Sequence, residues 1–297
     1  MRFSTMLCAQ CAALLLAACG GGGSSSTSDS GGPVGNPGST KATPGVWQGT
    51  MTSSATGTQS LIGMTDANGQ SVWMTTDGRV WTGQMPTSGT GFDVDMAGYM
   101  YPGSHFADGQ NFGMGSMRFD YHDGSWSGQV QGWGDPGNFQ VSLSPMWDRP
   151  ASLADVAGTY TRTTSLGYAM TLSIDAAGLL TGGDTRGCVM SGHVTVPDPR
   201  HDLYLIEATV SSCGVLDGDY RGHATLVDAS SMRGWTTTMG CFQYGRGGWP
   251  GGGMMGGGMM GNWWPNQGVN TIPDGTRNLL MFAITNGRYA IMDALAK

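Results

Sequence analysis

Tyr168-Ala169-Met170-Thr171-Leu172-Ser173-Ile174-Asp175 is the stretch that decides the fold. Tyr168, Met170, Leu172 and Ile174 fall on one face of an extended chain, and Ala169, Thr171, Ser173 and Asp175 fall on the other. This period of two identifies a strand with one dry and one wet face, as in an antiparallel sheet that meets water on one side. The pattern recurs at Phe92, Val94 and Met96, which oppose Asp93 and Asp95. Solvent-facing alternation accounts for those two carboxylates without acid–base chemistry.

Outward from these runs, turn signals come at the spacing expected of a sandwich or barrel. They include Asp66-Ala67-Asn68-Gly69, Asp77-Gly78, His122-Asp123-Gly124, Asp175-Ala176-Ala177-Gly178, Asp217-Gly218 and Asn286-Gly287. Asn286-Gly287, between Phe282-Ala-Ile-Thr and Arg288-Tyr-Ala-Ile, is expected to form a two-residue type I′ hairpin turn. Composition points the same way. Glu207 is the sole glutamate, Lys occurs only at 41 and 297, and glycine occurs 52 times. Surface helices are normally filled with Glu, Lys, Gln and Arg, so the chain is expected to be all-β.

Two openings resemble one another. Gly45-Val46-Trp47-Gln48-Gly49-Thr50 and Ala157-Gly158-Thr159-Tyr160-Thr161-Arg162-Thr163 each place an aromatic after a glycine at a strand start, and about eight candidate strands follow each. Arg149-Pro150-Ala151-Ser152-Leu153 lies between them. Two tandem small antiparallel β-barrel or barrel-like domains are therefore expected, over residues 45–148 and 153–297. Residues 247–267 form a Gly/Met-rich insertion in the second.

The N-terminus supplies an address. One basic residue, Arg2, precedes the apolar run Ala12-Ala13-Leu14-Leu15-Leu16, and Leu16-Ala17-Ala18-Cys19 closes it. This is the build of a secretory signal, too short for a mature membrane span. Residues 20–44, opening Gly-Gly-Gly-Gly-Ser-Ser-Ser-Thr, lack apolar periodicity and are expected to form a flexible tether. Its r.m.s. reach as a flexible linker is about 25–30 Å.

Leu16-Ala17-Ala18-Cys19 resembles the lipobox of bacterial lipoproteins. That resemblance implies removal of residues 1–18 and lipidation of Cys19, palmitate included, with residues 19–44 as a lipid-anchored tether. Together with the tether and the Gly-x-[Trp/Tyr]-x-Gly/Thr openings, it looks like surface lipoproteins built from small β-barrels, such as the transferrin-binding protein B and factor H-binding protein families. The second half is similar to an uncharacterised class of proteobacterial lipoproteins through Leu153-Ala-Asp-Val-Ala-Gly-Thr-Tyr160, Gly187-Cys188 with Ser191-Gly192, Cys213-Gly214 and Gly218-Asp-Tyr-Arg-Gly222. These resemblances imply a lipid-anchored protein of the cell envelope, at the outer membrane, and carry over no receptor-binding residue.

Cys188 and Cys213 are expected to pair. The loop Pro197-Asp198-Pro199-Arg200-His201-Asp202 separates two strand-like runs, and folding about its centre sets Cys188 opposite position 211 or so. An exported compartment permits the disulfide; the alternative is two separate buried thiols. Within the insertion, Met254, Met255, Met259 and Met260 offer thioethers of the kind that hold Cu(I), with Cys241 upstream. The chain has 21 methionines, so part of this enrichment is background, and ordering so glycine-rich a loop opposes binding. His105, His122, His193, His201 and His223 show no metal-ligand spacing, and His122-Asp123 and His201-Asp202 sit in turn-like sequence, where solvated turns are expected.

The formal charge of −7 and the scattered cations argue against nucleic acid as a partner. No nucleophile elbow, phosphate loop or cofactor motif is present. The leading expectation is a non-enzymatic lipid-anchored envelope lipoprotein, tied to the membrane through its N-terminal lipid and binding a protein or small-ligand partner. Soft-metal (copper) binding through the Met-rich loop is the alternative. A degradative enzyme on a barrel scaffold is the third, since catalytic groups gathered from distant strands leave no motif.

Overall fold

A computed structural model describes residues 41–101, 103–163, 167–228 and 277–297. The strands of the first half are β1 (Lys41–Ala42), β2 (Gly45–Ser53), β3 (Gly57–Thr65), β4 (Gln70–Thr75), β5 (Val80–Gln84), β6 (Ser88–Gly89), β7 (Gly91–Tyr99), β8 (Phe112–His122), β9 (Ser125–Gly132) and β10 (Gly137–Leu143). Those of the second are β11 (Gly158–Thr163), β12 (Ala169–Ile174), β13 (Leu179–Asp184), β14 (Val189–Thr195), β15 (Tyr204–Ser211), β16 (Gly218–Asp228), β17 (Arg277–Thr285) and β18 (Ala290–Ala296). One short helix, α1 (Leu153–Val156), precedes β11, and a 3-10 turn, Gly214–Leu216, precedes β16.

The chain is all-β, and its strands close into two barrels of eight. Each barrel is an antiparallel meander in which successive strands are neighbours and the last returns to the first. In barrel 1 the small pair β1–β6 stands apart and ties the entering chain to the β5–β7 connection. Closure differs between the two. The β10–β2 seam runs from Gly137↔Ser53 through Leu143↔Trp47. The β11–β18 seam shows one register pair among the described residues, Thr161↔Ala296.

Alternation fills the lumens. Trp47, Trp73, Trp81, Trp126, Phe119 and Phe139 are buried inside barrel 1 with ring centroids 5.0–6.2 Å apart in the contacting pairs. Glycine makes room for them: Gly63 pairs with Trp73 across β3–β4, and a Cβ on Gly63 would lie 2.4 Å from the Trp73 ring. The predicted faces of 168–175 and 92–96 are present, with Met170, Leu172, Ile174, Val94 and Met96 buried and Thr171, Asp175, Asp93 and Asp95 exposed. Strands β3 and β4 depart from simple alternation. Leu61–Thr65 and Ser71–Thr75 are buried on both faces. Their outward residues Ile62, Met64, Val72 and Met74 join Val227, Leu279, Met281 and Met292 of barrel 2 in one contiguous core. Barrel 2 takes the place of water there.

The repeated openings have a shared geometry. Trp47 Nε1 donates to the Thr43 carbonyl (3.0 Å), and Tyr160 OH donates to the Val156 carbonyl (2.8 Å), four residues upstream in each case. Gly218-Asp219-Tyr220 is a third copy, with Tyr220 OH donating to the Leu216 carbonyl at 2.9 Å. Gly158 and Gly218 both sit at φ +150, which brings the short helical turn before each strand under the tyrosine. The aromatic buries its ring in the barrel while satisfying its polar tip.

Two local expectations are corrected. Asn286-Gly287 does not form a two-residue turn: Thr285 pairs with Ala290, leaving four loop residues, and only Gly287 has positive φ. The Asn286 side chain explains this, since its Oδ1 accepts from the Arg288 and Tyr289 amides and stabilises a wider loop. The type I′ signature occurs instead at Asp123-Gly124, with φ +49 and +85 between the paired His122 and Ser125. His201-Asp202 is likewise no solvated turn. The His201 ring stacks on Trp147 at 4.0 Å, and Asp202 is fully buried, its carbonyl accepting from Thr225 Oγ1. The inter-barrel segment lies over this loop, held by Ala151 N–H to Pro199 O and by the Arg149–Asp228 ion pair.

Candidate functional site

The lumens are packed, and their charged groups are paired. At one end of barrel 1, Arg79 joins three hairpins through Asp77 (3.0 Å) and Asp135 (2.8 Å). Burial pushes the Asp135 carboxyl up, but hydrogen bonds from Ser53 and the Ala55 amide and the Arg79 guanidinium outweigh it and leave it below the usual range. In barrel 2, Arg162 of β11 reaches Asp293 of β18 at 2.5 Å inside the wall, across the sparsely paired seam. Burial lifts the Asp293 carboxyl above its ordinary value despite the guanidinium. Burial, with Asp184 and Asp293 nearby, also raises the Tyr168 phenol above its ordinary value.

Concave surface lies outside the barrels. A depression of about 540 Å³ along the β9–β10 hairpin is lined by Gln129, Gln131, Pro136 and Asn138 among others, with no titratable group. A second, of about 420 Å³, lies where the two barrels meet. One wall is β4 and β5, with Gln70, Ser71, Thr82 and Gln84. The other is β15, β16 and β17, with Glu207, Arg221, His223 and Thr285. Val72, Leu205 and Ala283 add apolar surface.

His223 is the chemical centre of this groove. It points outward from β16, but barrel 1 covers that face and leaves the residue 3% exposed. Its Nε2 lies 3.6 Å from Asp66 Oδ2 of the β3–β4 turn, an ion-pair separation rather than a hydrogen bond. Neither ring nitrogen finds a hydrogen-bond partner among the described residues. Asp66 is itself buried. Burial pushes its carboxyl up, yet His223 and the Gln70 and Asn68 amides outweigh that and hold it below the usual range. At the rim, Arg221 Nε and Glu207 Oε1 pair at 3.2 Å in full solvent.

Three of the groove's other polar residues each have a donor engaged. Ser71 Oγ donates to the Gly83 carbonyl (3.0 Å), and Thr285 Oγ1 donates to the Tyr289 carbonyl (2.9 Å). The Gln84 amide nitrogen donates to the Asn68 carbonyl.

Of the residues singled out in the sequence, Cys188 and Cys213 form a disulfide with Cα atoms 4.7 Å apart. The β14–β15 ladder ends at Val189↔Ser211, and Ser212, at φ +59, turns Cys213 toward Cys188. Cys19, Cys241, Met254, Met255, Met259 and Met260 lie outside the described residues. Asp93 and Asp95 sit on the exposed face of β7, away from the groove. Sequence reasoning passed over His223 because it has no ligand-like spacing. Its one signal was a histidine beside Arg221-Gly222 in a strand whose outward face turns apolar at Val227. Comparison of the chain with protein families, with curated proteins and with solved structures finds no match.

Proposed function

We propose that this protein is a lipid-anchored lipoprotein of the bacterial envelope, at the outer membrane, whose paired barrels act as a non-enzymatic binding module for a small polar ligand or partner. The anchor rests on Leu16-Ala17-Ala18-Cys19 at the end of the apolar run. The binding role rests on one observation, the inter-barrel groove with His223 buried in its wall. Its volume falls within the range of small-molecule sites, roughly 300–1,000 Å³, and a junction between two bodies is a common place for one. Apolar packing of the lumens favours this groove over a barrel interior as the site.

Two experiments test the reading. Cys19→Ser should abolish detergent partitioning and the lipid mass increment; a variant that keeps both refutes the anchor. For the groove, a thermal-shift ligand screen of the full chain is repeated on Thr82→Trp, which fills the space from the β5 wall. Ligands of this site lose their effect in the variant. Hits that act equally on both proteins refute the groove.

A further inference from the structure

The depression of about 540 Å³ on the β9–β10 hairpin shares no lining residue with the inter-barrel groove. The loop that shapes it is held from inside barrel 1. Trp133, at φ +54, turns its ring inward, where Nε1 donates to the Gly113 carbonyl (3.0 Å) and the ring packs on Trp81 at 5.9 Å. Two residues on, the buried Asp135 carboxylate meets Arg79 at 2.8 Å and Ser53 Oγ at 2.6 Å. Gly134 and Pro136, which flank Asp135, are left exposed and line the depression. With both anchors inward and φ fixed at Pro136, the concavity is formed in advance, and a ligand has no loop to order.

Three side-chain amides stand over it. Gln129 and Gln131 of β9 and Asn138 of β10 point outward and are exposed, and no described residue hydrogen-bonds their side chains. Asn138 is the register partner of Gln129, which sets their Cβ atoms about 4.5–5.5 Å apart. Gln131 follows on the same face, about 6.8 Å along the strand. Each amide sets a carbonyl acceptor beside N–H donors, the complement of two neighbouring hydroxyls of a diol. The face around them carries no charge. From Ser127 to Gln131, from Asn138 to Ser142 and at Thr50 and Thr52 of the adjoining β2, every outward residue is Ser, Thr, Asn or Gln.

Other ligand classes fit this face poorly. An ion finds no free charge, because Arg118, opposite Gln129 on β8, pairs with Asp120 at 3.1 Å and faces Asp93. A peptide strand finds no edge, because β9 and β10 are each paired on both sides. A lipid chain or a base finds no outward aliphatic or aromatic side chain, since Val130 and Phe139 point into the lumen. We propose that the depression on the β9–β10 hairpin binds a neutral oligosaccharide, with Gln129, Gln131 and Asn138 hydrogen-bonding its hydroxyls and the Pro136 ring against its C–H face. The uncharged face continues past the depression along β10 and β2, which suits a chain of sugars better than a single one.

The test is isothermal titration of the full chain, in a sugar-free detergent, with maltohexaose, cellohexaose and N-acetylchitohexaose, and with hexagalacturonate as the charged comparator. Saturable binding of at least one neutral hexasaccharide is expected, with hexagalacturonate silent. Gln129→Ala combined with Asn138→Ala should weaken it about tenfold, as the loss of two neutral hydrogen bonds does. Both positions are exposed, so the variant retains the fold, as circular dichroism checks. Thr181→Ala, on the exposed face of β13 in barrel 2, should leave binding unchanged, and so should Thr82→Trp in the groove. Absence of saturable binding by all three neutral sugars overturns the inference. So does binding that the amide variant leaves intact, or hexagalacturonate that binds as tightly. If a sugar is lost on Thr82→Trp but not in the amide variant, this inference fails and the groove reading stands. If it is lost only in the amide variant and no ligand is lost on Thr82→Trp, the hairpin site stands and the groove reading fails.

Discussion

At the scale of single residues, the structure turns on small contacts that a side-chain inventory does not show. Gly63 is the clearest. Its missing Cβ is the space occupied by the Trp73 ring, so Gly63→Ala should overpack barrel 1 and cost about 1–3 kcal/mol. Chemical denaturation followed by tryptophan fluorescence measures it. Asp135 provides a pH test. Its carboxyl is held below the usual range by Ser53, Ala55 and Arg79, so its stabilisation is complete above the unfolded value and is lost as pH falls through the folded one. Asp135→Asn should cost about 3 kcal/mol at pH 7. The gap to wild type should close below about pH 4, the ordinary carboxylate value. A gap that persists undiminished in acid would show that geometry rather than charge holds the three hairpins. His223 belongs to this scale too. The reason it escaped sequence reading is physical: a polar residue on an outward strand face looks solvated until another body covers it.

At the scale of elements, the strands were legible and their partners only partly so. Alternation located β7 and β12, and folding about 197–202 brought Cys188 near Cys213 because a hairpin's register is set locally. Reducing that disulfide, which spans a sequence separation of 25, should lower stability by about 3 kcal/mol on the loop-entropy estimate. Equal melting of the oxidised and reduced protein would contradict it. Turn chemistry was harder to place, because Asn286 uses its side chain to widen a loop that its Asn-Gly sequence would otherwise tighten. The seams differ in a way no propensity reveals. With one register pair against the ladder that closes barrel 1, β18 amides directed at β11 should exchange hydrogen faster than β2 amides directed at β10. Exchange mass spectrometry with fragment resolution compares the two. Slower exchange at β18 would mean that Arg162–Asp293 compensates for the missing ladder.

At the scale of the whole molecule, the insertion and the junction between barrels carry the remaining expectations. Deleting residues 247–267 should leave the melting temperature nearly unchanged. β17 pairs directly with β16 from Arg221↔Thr285 to Asp228↔Arg277, and each doubling of a flexible loop costs only about 0.6 kcal/mol. A large drop in melting temperature would mean that Trp249, Trp263 or Trp264 packs into the body. The sequence by itself determined the fold class, the two halves of about eight strands and the proximity of Cys188 to Cys213, whose bond the structure shows. Each depends on local signals: a period of two, a shortage of helix-forming residues, and turns spaced a strand apart. Only the tertiary structure decided which faces meet water. Ile62, Met64, Val72 and Met74 are buried by strands far along the chain, and no local pattern distinguishes a face covered by another barrel from one left bare. The groove, and the burial of His223 against Asp66, exist because those two distant surfaces meet.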